Sequence, residues 1–497
     1  MSLFRKKDLA GLLAQADNGE KGLKRTLGAA NLVALGIGAI IGAGLFVRTA
    51  AAAGQAAGPA VTLSFVVAAI GCAFAGLCYA EFAAMIPVAG SAYAYSYVTM
   101  GELVAWVIGW ALIMEYALGA ATVSIAWSEY LNKLLDGAVP YEWSHSPFES
   151  VTIDGVTRSG IMNLPALVIL LLLTLLLIKG TQESAFVNAI IVFVKVAIVL
   201  LFIAIGWQFI DPANHAPYMI PEGTAGHEGF FKHGYGGILG GAAIVFFAFI
   251  GFDAVSTAAQ EAKNPRRDMP IGILGSLVVC TVLYILFGHV LTGVAPYTDF
   301  TDPTKGQEAS VAYAISAYMP GYEWLSTLIT VAILAGFSSV ILVMLMGQSR
   351  VFYTMSQDGL IPSAFCDLHP RFKTPYKANW ILFVFVGLFA AFIPGHMAGD
   401  LTSFGTLFAF VLVSLGVWIL RRKSPEMHRP FRTPLVPAVP LLGAVICLGM
   451  IVAIDQRTLL FALVWMLVGL LVYFGYSRRR SRLQSPGEIL PKASDFQ

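Results

Sequence analysis

Twelve long apolar segments divide this chain, and no other feature limits its fold as much. They cover residues 30–54, 59–86, 101–131, 162–179, 184–210, 234–260, 270–295, 321–350, 378–394, 401–420, 436–454 and 458–476, with short polar joins between most of them. A helix needs about 20 mostly apolar residues to cross a bilayer. In lipid, only helices and closed barrels satisfy every backbone polar group. Barrel strands would alternate apolar and polar residues over about ten positions, and these segments do not. The expectation is an all-α polytopic membrane protein with twelve transmembrane helices. Composition agrees: of 497 residues, 57% are hydrophobic and 12% charged, against about 25% charged in soluble proteins. A soluble enzyme, a disordered chain and a nucleic-acid partner are excluded.

Lys and Arg set the expected orientation. With the N-terminus in the cytoplasm, 24 of the 31 basic residues fall on the inner side, five on the outer side, and Arg48 and Lys195 within segments. Both termini are therefore expected in the cytoplasm of a cell (inner or plasma) membrane. Residues 1–28 read as a basic cytoplasmic segment lying on the anionic leaflet, and 477–497 as a cytoplasmic tail whose Arg478–Arg480 flank the last span. No cleavable signal peptide is expected. The five cysteines show no metal-ligand spacing and read as reduced packing residues. The outer loop 136–160 carries Trp143 and His145, for which the sequence offers no mechanism. Segment 307–320 reads as a short outer lid helix.

Two segments are poor helices. The first contains Gly36, Gly38, Gly42 and Gly44 within nine residues, each costing about 1 kcal/mol relative to alanine in a helix. Close packing through small residues would use Gly38 and Gly42. An unwound stretch whose amides bind an anion is the sharper reading. The sixth runs Phe246-Phe247-Ala248-Phe249-Ile250-Gly251-Phe252-Asp253, where a glycine and an acid interrupt an apolar run. A buried aspartate costs roughly 2.5–3.5 kcal/mol at a helix centre on insertion scales. Interruptions five segments apart fit inverted repeats with a midplane site. A secondary transporter is favoured over a channel. A membrane-embedded enzyme is disfavoured, because no His-Glu-x-x-His, nucleophile elbow or intramembrane aspartate pair occurs, and the lack of a Walker motif argues against an ATPase. No cofactor is called for.

The run Gly38–Phe46 resembles the first-helix signature of the amino acid–polyamine–organocation permeases. So does Phe249-Ile250-Gly251-Phe252-Asp253 followed by Glu261–Pro270. Supporting segments are Glu81 with Pro87–Tyr93, and Gly347–Arg350 with Asp358–Pro362. Within that superfamily the chain is similar to bacterial homologues of the cationic amino acid transporter family, over about residues 20–480. The resemblance implies a leucine-transporter-type 5+5 inverted repeat with helices 1 and 6 broken. The first repeat would occupy 29–210, the second 234–421, and two extra helices 436–476.

It also implies a substrate held between the breaks. The carboxylate of an L-amino acid would rest on amides near Gly42, Ala43 and Gly44. Its ammonium would meet carbonyls of Ile40, Phe247, Ala248 and Ile250. Half-helix ends carry partial charges of the required signs. Lys195 matches the position where proton-coupled relatives place a lysine, so the resemblance implies a proton as coupling ion. The expectation is that Lys195 bridges to carbonyls around Gly42 and hydroxyls near Ser338 or Ser339. Asp253 is expected either to assist protonation or to stabilise the sixth-helix break. Glu115 is expected either to face the side-chain pocket and pair with a cationic substrate, or to be a structural partner. Glu81 reads as a gate or packing partner and His289 as a bonded histidine. Phe247, Phe249 and Phe252 are gate candidates, and Leu334, Phe337 and Ser338 are expected to shape the pocket.

The backbone site does not name the side chain. Family likeness pulls toward arginine or lysine. Ala111 and Gln260, standing where acids are expected, pull toward small neutral amino acids with alanine first. The expected activity is proton-coupled symport by alternating access. Exchange is the nearest rival; a channel or a non-transporting sensor is the rival from another class. A single-span accessory helix is a partner the family allows.

Overall fold

The structure, a computed structural model, describes residues 3–7, 27–42, 44–86, 91–153, 156–179, 185–257, 262–302, 310–372 and 374–483. The helices are α1 (Ala29–Ile40), α2 (Gly44–Met85), α3 (Ser91–Thr99), α4 (Glu102–Leu134), α5 (Leu164–Lys179), α6 (Ala185–Gly206), α7 (Gly234–Val245) and α8 (Ala254–Thr257). They continue as α9 (Pro265–Val294), α10 (Ser310–Tyr318), α11 (Glu323–Gln357), α12 (Tyr376–Phe392), α13 (Gly395–Lys423), α14 (Ala438–Val452) and α15 (Gln456–Val472). Each of the twelve apolar segments contains helix within the described residues. Seven helices there are long and apolar enough to cross a membrane, and five shorter ones are also apolar.

The first and sixth segments are interrupted, as their glycines imply. In the first, α1 stops at Ile40, Ile41 is extended (φ −72°, ψ 103°), and helix resumes at Gly44. In the sixth, α7 tightens into a 3₁₀ turn over Phe246–Phe249. Ile250 is then extended and Gly251 takes φ +111°, a conformation that favours glycine. Around these breaks α4 packs on both α11 and α13, while α9 packs on α1 and α2. The long helices bury apolar side chains on several faces, as expected for the centre of a bundle. In contrast, α14 and α15 expose Leu442, Val445, Leu460, Leu463, Leu467 and Leu471, a surface suited to lipid.

Loop 136–160, expected on the outer side, contains a hairpin, β1 (Ser150–Ile153) and β2 (Val156–Ser159), paired antiparallel with Val151 opposite Arg158. Ile161 N–H donates to Glu142 O at 2.7 Å and Asn163 N–H to Ala391 O at 3.1 Å. The first bond closes the loop on itself, and the second ties its end to α12. The described part of the expected lid is α10, which packs on α11.

Candidate functional site

The two breaks meet through main chain. A Cβ added to Gly44 would overlap the Cα of Ala248 and lie 2.7 Å from its nitrogen. One added to Gly251 would lie 2.8 Å from Ala39 O. Such approaches leave no space for a side chain. Between the breaks is a cavity of ≈ 10 Å³, at the lower limit for one water. Ile40, Gly42, Gly44, Phe247 and Ile250, five of the residues expected to meet a substrate, line it. Ala39 from α1, Val123 from α4, and Val340 and Met344 from α11 complete the wall. Ala43 lies outside the described residues, as do Gln260 and Glu261. An amino acid enters this space only if the wall moves.

Tyr284 on α9 was not foreseen. Its hydroxyl lies 3.0 Å from Ile40 O and 2.9 Å from Ala248 O, so one side chain serves both breaks. Two carbonyls expected to meet a substrate ammonium are thus within reach of a protein hydroxyl. Ala248 is occupied in this way and is not among the residues facing the cavity.

Lys195 is buried on α6, and its ammonium donates to Gly38 O at 3.0 Å. The expected bridge therefore reaches α1 one turn before Gly42. A second cavity of ≈ 10 Å³ adjoins it, sharing Gly42 and bounded by Phe46, Gly336 and Phe337. Gly336 is the notch for the lysine: a Cβ there would lie 2.9 Å from Lys195 Cε. Ser338 directs its hydroxyl to Leu334 O of its own helix at 2.9 Å. The α11 face turned to the two cavities comprises Ile333, Gly336, Phe337, Val340 and Met344. Of the three expected pocket residues on α11, Phe337 takes part; Leu334 and Ser338 sit one register step away.

Glu115 is 1% exposed on α4 and does not line the cavity between the breaks. Among the described residues neither of its carboxylate oxygens makes a hydrogen bond. The adjacent Thr406 hydroxyl bonds Thr402 O at 3.2 Å. Glu115 and Asp253 are electrostatic neighbours of one another and of Tyr79 and Tyr116. Tyr116 donates to Asp253 Oδ2 at 3.4 Å, and Asp253 O accepts from Ser256 N–H at 2.8 Å. Asp253 thus helps to form the turn after the sixth-segment break.

The remaining charged residues act between elements. Arg48, 3% exposed, pairs with Asp400 at the start of α13 and lies against Gly399. Glu81, 1% exposed, accepts from Arg421 Nε at 3.0 Å, Arg421 Nη2 at 2.8 Å and Thr433 N–H at 2.7 Å. Arg429 Nε stands 3.2 Å from it. That is a packing tie between α2 and the loop after α13. His289 lies 4.6 Å from His215, ring centre to ring centre. Burial and then His289 push the His215 pKa down from 6.5. Of the gate candidates, Phe247 faces the cavity. Phe249 packs on Tyr284 at 5.3 Å and Phe252 on Phe410 at 4.9 Å.

Comparison with known proteins agrees with this architecture. The family model described as "Amino acid permease" matches residues 27–477. The chain is 44% identical over 486 residues to a branched-chain amino acid permease, BcaP, of Bacillus subtilis (strain 168), covering 97% of this chain and 99% of that one. It is 42% identical over 484 residues to a methylthioribose transporter of the same organism, covering 97% and 99%. It is 34% identical over 428 residues to the vacuolar cationic amino acid transporter 4 of Arabidopsis thaliana, covering 86% and 68%. Two paired helix breaks, a buried lysine against the first of them and a family match across nearly the whole chain place this protein in the amino acid permease family.

Proposed function

We propose that the protein is a proton-coupled symporter of neutral L-amino acids, alanine first among them, working by alternating access in the cell membrane with both termini in the cytoplasm. The observation that carries this reading is the meeting of the two breaks at Gly44 and Ala248, with Lys195 held on Gly38 beside them. Main-chain amides and carbonyls supply the complement of a zwitterion. Val123, Val340 and Met344 supply an apolar wall for the side chain. That wall, and the position of Glu115 outside the cavity, favour a neutral side chain over a cationic one. The branched-chain permease relative points the same way. Twelve spans in a 5+5 inverted repeat are the matching architecture. Lys195, with Asp253 as a second acid, would carry the proton. A single-span accessory helix would find exposed apolar surface on α14 or α15.

A second reading is carriage of an uncharged thiosugar, favoured by the 42% identical methylthioribose transporter and by a thioether-compatible wall. The test is uptake of labelled alanine and valine into proteoliposomes, with and without an inward proton gradient, with lysine and methylthioribose as competitors. The symport reading expects gradient-stimulated uptake of both amino acids and loss of that stimulation in Lys195→Ala. Uptake that ignores the gradient and requires internal amino acid would replace symport with exchange. Block by methylthioribose alone, without amino acid uptake, would favour the thiosugar.

A further inference from the structure

At one end of the bundle the two chain ends cross the same pair of helices. Residues 3–7 lie along the join between α3 and α4. Lys7 N–H donates to Tyr97 O at 3.3 Å, Glu102 N–H to Arg5 O at 2.9 Å, and Leu103 N–H to Leu3 O at 3.2 Å. Gly101 has φ +104°, and a Cβ there would lie 2.7 Å from the Phe4 backbone. The join is shaped to receive this strand. Lys7 continues to α11, where its ammonium pairs with Asp358, which also accepts from Tyr93 at 2.7 Å.

The other chain end reaches the same two acids. Glu102, wholly buried, accepts from Tyr97 at 3.1 Å, from Tyr473 at 3.0 Å, and from Ser481. Arg482 N–H donates to Asp358 O at 3.2 Å. Gly359 has φ +77°, and a Cβ there would collide with Arg480 O. Arg5 Nη1 donates to Leu483 O at 2.8 Å and joins the two ends directly. Each end thus has a glycine-lined seat and a buried or half-buried carboxylate. Helices α4 and α11, which these contacts tie together, also carry Val123, Val340 and Met344 to the cavity.

We propose that the two chain ends form one clasp across α4 and α11, and that its release is a step of the transport cycle. Burying a carboxylate is costly unless it is fully bonded. The clasp therefore holds in one packed arrangement and does not slide through intermediate ones. Residues 3–7 and 477–483 are regulatory contacts in this account, beyond any role as lipid-facing basic flanks. The inference rests on the alternating-access reading above.

The test uses the full chain in lipid nanodiscs, without transport. Hydrogen exchange of residues 477–483 reads the clasp. Thiol labelling of Val340→Cys in a cysteine-free background reads access to the cavity. Ser481→Asp sets a second carboxylate against Glu102; Ser481→Thr keeps the hydroxyl. The expected result is about a ten-fold rise in both exchange and labelling for Ser481→Asp, the effect of losing one charge-assisted hydrogen bond. Ser481→Thr is expected to stay near wild type. Lys7→Ala should act in the same direction from the other chain end, and decides the question if Ser481→Asp does not fold. A freed tail with unchanged labelling overturns the proposal, as does a wild-type tail that exchanges at the solvent rate. Failure of the substrate reading would appear in the uptake assay and leave these readouts untouched.

Discussion

Lys195 has two determinants that act at the level of single atoms: the Gly38 carbonyl that accepts its hydrogen bond and the missing side chain at Gly336 that admits its stem. Gly336→Ala is therefore expected to push the ammonium off Gly38 while leaving the cavity between the breaks intact. Gradient-driven uptake should fall about ten-fold, the effect of one charged hydrogen bond, and gradient-free counterflow should persist. Equal loss of both would mean that the notch serves packing alone. Tyr284 gives a second test at this scale. Tyr284→Phe removes the shared hydroxyl from Ile40 O and Ala248 O and leaves buried carbonyls unbonded, at about 1–3 kcal/mol. A lower melting temperature in detergent is the expected outcome. Lys195 was legible in the sequence because a charge in an apolar run has few structural explanations. Tyr284 and Gly336 were not, because tyrosine and glycine are ordinary in such helices and their importance depends on which neighbour they meet.

At the scale of elements, the breaks were legible and the facing helix was not. Glycine and aspartate interrupt local backbone and leave a mark within a few residues. The α11 face depends on the rotation of a 35-residue helix, where one step moves the surface by about 100°. That is why Leu334 and Ser338 were expected and Val340 and Met344 line the site. Gly44→Ala tests the contact of the breaks. The new methyl must displace the Ala248 backbone, an overpacking cost of about 1–3 kcal/mol, read as lower thermal stability together with weaker substrate binding. Loop 136–160 has its own fastening to α4, which the sequence did not reveal. His145 Nε2 pairs with Glu129 on α4 at 2.8 Å, and its ring stacks on Tyr141 at 3.8 Å. Burial opposes protonation, but the hydrogen bond and charge of Glu129, with Glu149, raise the pKa above 6.5 overall. A raised pKa makes this fastening complete below 6.5 and lost as pH climbs through the raised value. Trypsin cleavage at Arg158 should increase between about pH 6 and about pH 8.5, beyond the change seen in Glu129→Gln. Identical pH responses in the two proteins would remove the histidine from this role.

Across the whole molecule, the twelve apolar segments were legible because helix-long runs announce themselves by length alone. What joins their ends was not, since Glu81 bonds to residues more than 300 positions away in sequence. Glu81→Ala would strand Arg421 and Arg429 beside an apolar helix. Removal of one partner from a buried pair costs about 3–5 kcal/mol, and the expected outcome is a marked drop in melting temperature that Glu81→Gln only partly reverses. The meeting of the two breaks has a further consequence for how such a protein can change over time. Its polar groups are main-chain atoms, present whatever residue is encoded, so substitution can reshape that surface but cannot erase its chemistry. Variation is then channelled into the apolar wall from α4 and α11. On the proposed reading, in which these main-chain groups hold the substrate, proteins sharing this plan are free to diverge in cargo while their grip on it stays fixed.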